Sequence, residues 1–152
     1  MADAVSSLLS AMMSCRLGGV LSLHGCLVRP DGVDRVVIAR AAAAVNCAVA
    51  GAPRVGDLWD GRFRIDDASA DRNVVIAPLG EAGARRLNEL AASGAWSAPD
   101  GWIAAPRAAR LTTPALWRDN DLAAAPIAAY GDGLRATFLA AGPGWAEPPQ
   151  AA

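Results

Sequence analysis

The residue types best suited to covalent chemistry are scarce in this chain. His24 stands two positions before Cys26 in Leu23-His24-Gly25-Cys26, and on a strand the two side chains share a face. A thiol beside an imidazole can form a nucleophile–base couple, yet neighbours at i, i+2 do not make a shaped site, and no third group orients the base. Cys15 and Cys47 would complete a Cys₃His set, but the spacing resembles no zinc knuckle or ribbon. Buried strand residues are the simpler reading, so no catalytic and no metal-ligating residue is expected. The carboxylate pairs Asp57/Asp60 and Asp66/Asp67 fall in segments that read as turns, where Asp serves backbone hydrogen bonding better than acid–base chemistry. Trp59, Trp96, Trp102 and Trp117 offer stacking surfaces, although tryptophans in small domains belong mostly to cores.

Phosphate-cradling motifs are missing as well. The chain has no Lys, hence no Gly-x-x-x-x-Gly-Lys loop, and no Gly-x-Gly-x-x-Gly follows a strand. Gly131-Asp132-Gly133 and Gly142-Pro143-Gly144 read as turns. What remains is arginine. Arg85 and Arg86 fall on one helical segment, Arg107 and Arg110 on another, and Arg118 at a strand end. From Ala77 to Arg118 these five arginines face Glu81, Glu89 and Asp100, a local excess of +2. Guanidinium groups match phosphate oxygens in bidentate pairs; from spacing alone, a solvated helix face explains the same pattern.

The elements that must carry these residues follow from periodicity. Val5, Leu8, Leu9, Met12 and Met13 make one apolar stripe on a first helix, which Gly18-Gly19 stops. Val20 to Val28 and Arg35 to Arg40 read as a hairpin around Arg29-Pro30-Asp31-Gly32, and Ala41 to Ala44 as a short helical stretch. Alternation in Arg62-Phe63-Arg64-Ile65 predicts a half-wet strand, followed by a polar turn over Asp66 to Asn73 and a strand at Val74-Val75-Ile76. A helix is predicted through Ala84, Leu87 and Leu90, ending at Ser93-Gly94, and a loop over Ala95 to Gly101. Pro106 fits the first position of a one-turn helix that puts Arg107 and Arg110 on one face. Thr113-Pro114 forces extended backbone that Ala115 to Trp117 continue. A hairpin turn across Arg118 to Asp121 leads into Leu122 to Ile127, with Pro126 keeping that strand at an edge or a bulge, and Leu134 to Leu139 closes the fold.

This pattern predicts an α+β protein: a helix and hairpin in 1–50, a small mixed domain of short antiparallel strands and two short helices in 51–142, and a flexible tail in 143–152. With 152 residues, 53% hydrophobic and 19% charged, the chain can hold a core without staples. A net charge of −1 excludes a polycationic coat but not a local basic face. Three cysteines, unevenly spaced, argue for a reducing compartment, and the cytoplasm is expected. Arg16 splits the apolar N-terminal run, and no basic segment precedes it, so neither a signal peptide nor a membrane span is expected. The exposed stripe of the first helix would favour a homodimer.

Several segments, in order, resemble the C-terminal part of tRNA(Ile)-lysidine synthetase. They are Leu23-His24-Gly25-Cys26, Leu58-Trp59-Asp60-Gly61-Arg62-Phe63-Arg64, Pro78-Leu79-Gly80, Pro106-Arg107-x-x-Arg110-x-x-x-Pro114-Ala115-Leu116-Trp117 and Asp121-Leu122-Ala123-Ala124-Ala125-Pro126. The resemblance spans about residues 5–140. It implies that the first fifty residues close a helical middle domain and that the rest is a C-terminal domain that grips tRNA, without binding DNA or membrane. It also implies tRNA-binding roles for Arg107, Arg110, Arg118, Arg85 and Arg86. The family's N-terminal domain, whose Ser-Gly-Gly-x-Asp-Ser loop binds ATP with Mg and performs the adenylation, has no counterpart here, so the chain is expected to need no cofactor and to be non-catalytic by itself. A truncated product, a displaced start or an isolated domain would each account for that. The resemblance therefore favours a tRNA(Ile)-recognition module; a stand-alone domain acting in protein interaction, with no RNA contact, is the alternative.

Overall fold

The computed structural model describes residues 10, 20–23, 25–31, 35–45, 54–71 and 73–139. The predicted first helix with its dimerising stripe, Cys15, His24, Cys47, most of the joint near residue 50 and the 143–152 tail lie outside the described residues. Among the described residues the architecture is mixed α+β, with one long helix, two five-residue helices and strands arranged in three sheets. Every pairing whose register is defined is antiparallel. The chain divides into two compact units, one within Met1–Asn46 and Pro78–Thr113, the other within Cys47–Ala77 and Pro114–Ala152. The division at 46/47 falls near the joint read from sequence, whereas 78–113 groups with the first segment rather than with its sequence neighbours.

In the first unit, β1 (Leu21–Leu23), β2 (Cys26–Pro30) and β3 (Val36–Arg40) form one sheet in that order. The single strand expected over Val20 to Val28 is thus two strands. Gly25 turns between them at φ 76°, where a Cβ would meet the Arg40 guanidinium and Ala44, so glycine satisfies both the backbone and the space. The predicted short helical stretch is a 3₁₀ turn at Ala42–Ala44.

Helix α1 (Gly80–Ala92) buries Gly83 and Leu87, four residues apart on one face. It ends as Ser93-Gly94 predicts: Gly94 takes φ 74°, its N–H donates to Ala91 O, and the Ala95 N–H donates to Leu90 O, the two bonds of a Schellman motif. The stretch expected as a loop contains a further helix, α2 (Asp100–Ala104), because Pro99 sets extended backbone before it and Trp102 supplies a buried anchor. Helix α3 (Arg107–Leu111) touches both α1 and β3. Pro106 precedes it as the cap rather than as its first residue, and the N–H groups of Ala109 and Arg110 donate to its carbonyl. Thr112 and Thr113 are buried, and each donates both its backbone N–H and its hydroxyl to one carbonyl of the last turn, Thr112 to Ala109 and Thr113 to Arg110.

In the second unit, β4 (Leu58–Trp59) and β10 (Leu134–Phe138) flank β5 (Phe63–Ala68). Phe63 and Ile65 are buried and Arg64 is exposed, the alternation read from sequence. The polar turn expected from Asp66 begins later, because β5 continues through Asp66 and Asp67 opposite β10. The other sheet has the order β6 (Val74–Pro78), β7 (Pro114–Arg118), β8 (Asp121–Ala125), β9 (Tyr130–Gly131). Asp119 and Asn120 both have positive φ, 49° and 70°, in the two-residue turn joining β7 to β8. Of the two places expected for this strand, an edge or a bulge, β8 is not at an edge of its sheet but does carry a bulge: Leu116 pairs with Ala124 and Trp117 with Leu122, which leaves Ala123 as the extra residue. Pro126 begins a 3₁₀ turn, Pro126–Ala128, after the strand and so removes no ladder hydrogen bond. Among the described residues, no helix is long and apolar enough to cross a membrane.

Candidate functional site

The first unit places four of the five singled-out arginines on α1 and α3, and gathers two of them. Residues Ala84 and Asn88 of α1, Trp102 of α2, and Arg107, Arg110 and Leu111 of α3 line a pocket of about 80 Å³. Their spacing explains the convergence: Ala84 and Asn88 are one turn apart on α1, and Arg107 and Arg110 are at i, i+3 on α3. The volume exceeds that of a single water, which needs roughly 10–15 Å³ on this scale, and suits a small oxyanion.

The two arginines are held differently. The Arg110 guanidinium carbon lies 5.6 Å from the Trp102 ring centroid, a cation–π distance. Its Nε is enclosed and donates to no acceptor among the described residues. An enclosed donor without a partner costs free energy, and an anion entering the pocket would relieve that cost. Arg107 instead donates to Glu81, the acidic residue in the first turn of α1. Both side chains of this pair are more than half exposed, 59% and 61%, so the pair is weak and exchangeable.

The remaining arginines do not join the pocket lining. Arg86 pairs with Glu89 one helical turn away at 3.3 Å. Arg85 is exposed and has no ion-pair partner among the described residues. Arg118 belongs to the second unit, where it pairs with Asp71 at 3.2 Å. Sequence reading singled out neither Asn88 nor Glu81, and it placed Trp102 next to a loop. Glu81 was visible only as a countercharge: its contact with Arg107 joins residues 26 apart, and the contact of Arg110 with Trp102 crosses the break between α2 and α3, so neither leaves a periodic trace.

The His24–Cys26 couple and the Cys₃His set lie partly outside the described residues, since His24, Cys15 and Cys47 are not among them. Cys26 is a half-buried free thiol, and no group of three or more His, Cys, Asp or Glu among the described residues is placed to hold a metal. Asp57 accepts from the Arg54 N–H in a turn, and Asp60 accepts from Arg62 Nε at 2.7 Å while nearly enclosed. Trp59 and Trp102 are buried, at 1% and 6% exposure, and Trp96 and Trp117 are half-buried. No protein family, curated protein or solved structure matches the chain.

Proposed function

We propose that the chain is a tRNA-recognition module of the kind its resemblance to the C-terminal part of tRNA(Ile)-lysidine synthetase implies. It positions tRNA(Ile) in the cytoplasm for conversion of the wobble cytidine to lysidine by a catalytic domain carried elsewhere, which brings ATP and Mg. The observation that supports this reading most is the α1/α2/α3 pocket: Arg110 seated on Trp102, its Nε without an acceptor among the described residues, beside Arg107 and Asn88. Such a pocket accepts a backbone phosphate through charge-assisted hydrogen bonds. It reads no base, so it positions the RNA rather than identifying it. Arg85 adds an exposed charge on α1, and Arg118 is a weaker member of the set because Asp71 already holds it.

Titrating the chain with tRNA(Ile) across a salt series tests the reading. Binding that falls steeply as salt rises, with a linear log–log dependence, is the expected result, because phosphate contacts release condensed counterions. No binding at the lowest salt, or a salt-independent affinity, would overturn it and leave the protein-interaction alternative.

A further inference from the structure

The arginine pocket suits a narrower class of ligand than phosphate in general. Its lining holds two cations, Arg107 and Arg110, and no carboxylate, since Glu81 meets Arg107 from outside the lining. Ala84, Trp102 and Leu111 supply an apolar wall, and each is buried or half-buried. Asn88 and Arg107 are the exposed members. With about 80 Å³ of space, the pocket is more closed than open.

Two features define which phosphate fits. The first is the set of donors. Three side chains of the lining can donate: Arg110, whose Nε has no acceptor among the described residues, Asn88 and Arg107. A phosphate inside an RNA chain is esterified twice, so two of its oxygens must leave a closed pocket together with their riboses. A phosphomonoester keeps three free acceptor oxygens and leaves by a single ester bond.

The second feature is charge. Arg107 turns into the pocket only for an anion that outcompetes the Glu81 carboxylate. A phosphodiester carries the same single charge as that carboxylate, so the exchange gains little. A phosphomonoester carries about −1.5 to −2 at pH 7, which matches the two guanidinium groups and draws Arg107 away from Glu81.

We propose that the pocket selects a phosphomonoester dianion and that its occupant is the 5′-terminal phosphate of the bound RNA, an inference that rests on the tRNA-module reading. Of all the phosphates along the RNA backbone, the pocket thereby takes the one at the chain end, and this fixes where on the RNA the first unit docks. Free orthophosphate shares the chemistry and competes for the same donors.

Methyl phosphate and dimethyl phosphate, titrated into the full chain, test the class of ligand. The readout is the Arg110 Nε–H resonance in NMR spectra, assigned by its absence from Arg110→Lys. Methyl phosphate should shift it saturably and bind about tenfold more tightly than dimethyl phosphate, with an affinity that rises through about pH 6 as the second proton leaves. The RNA arm compares two forms of tRNA(Ile): the 5′-hydroxyl form should bind about tenfold more weakly than the 5′-phosphorylated one. Equal affinity for the two methyl esters, or a methyl phosphate affinity that ignores pH, would overturn the proposal. Equal affinity of the two tRNA forms would also overturn it, while leaving the tRNA-module reading to rest on internal phosphates. Methyl phosphate binding without binding of either tRNA would overturn the RNA occupant together with that reading and assign the pocket to free orthophosphate.

Discussion

Arg107 and Arg110 share a helix face, yet their neighbours assign them different tasks. Arg110 is preset, because its guanidinium lies over the Trp102 ring and its Nε has no acceptor among the described residues. Arg107 must leave Glu81 before it can contact a phosphate. Glu81→Gln should therefore raise RNA affinity about two- to fivefold at low salt, since an exposed pair contributes little and its loss frees a cation. Unchanged or weaker binding in a titration of the variant would show that Arg107 stays outside the interface. In the second unit the Thr137 hydroxyl, and after it Arg64, hold the Asp66 carboxyl below its ordinary pKa of 3.8. The sign of the consequence follows from linkage. Because the folded state lowers this pKa, the stabilisation from Asp66 is complete above pH 3.8 and disappears as pH falls further, through the folded value. Acid unfolding of Asp66→Asn should show a flatter pH dependence below pH 3.8 than the parent; identical profiles would mean that Thr137 and Arg64 do not favour the charged form.

Elements whose cause is local were legible in sequence, and those decided by distant contacts were not. Alternation around Phe63 to Ile65, the stop at Ser93-Gly94 and the Thr113-Pro114 entry into β7 each rest on residues within one turn or strand. Helix α2 escaped notice because five residues are too few for a periodic signal, and burial of Trp102 stabilises it more than propensity does. The run Val20 to Val28 reads as one apolar strand, and only the Arg40 side chain beside Gly25 reveals the turn within it. Asp66 and Asp67 look like turn residues until their pairing with β10 is known. Likewise the arginine pair was legible, whereas Asn88 and Trp102, which complete the pocket, depend on packing between helices. The bend after β9 gives the clearest test at this scale. A Cβ at Gly131 would run into the Ala123 carbonyl oxygen while adopting φ 66°. Gly131→Ala should destabilise the protein by at least about 1–3 kcal/mol. A chemical-denaturation midpoint equal to the parent's would show that the bend does not depend on glycine.

The charge of the whole molecule is nearly neutral only in sum. The first unit's segments carry eight arginines against six carboxylates, and the second unit's carry six against nine. The pocket suited to an anion belongs to the positive unit, so that site agrees with the field of its own surroundings. This partition is invisible in the overall charge of −1, and a consecutive domain reading hides it too, since 78–113 contributes its arginines to the first unit. The central claim is that Arg107 and Arg110 contact RNA phosphates, and the salt dependence of tRNA(Ile) binding by Arg107→Ala/Arg110→Ala tests it most directly. Weaker binding is predicted, with a log–log salt slope shallower by about one to two units for two lost phosphate contacts and with the double variant still folded. Affinity and slope equal to the parent's, or loss of the fold with binding unchanged per folded molecule, would contradict it.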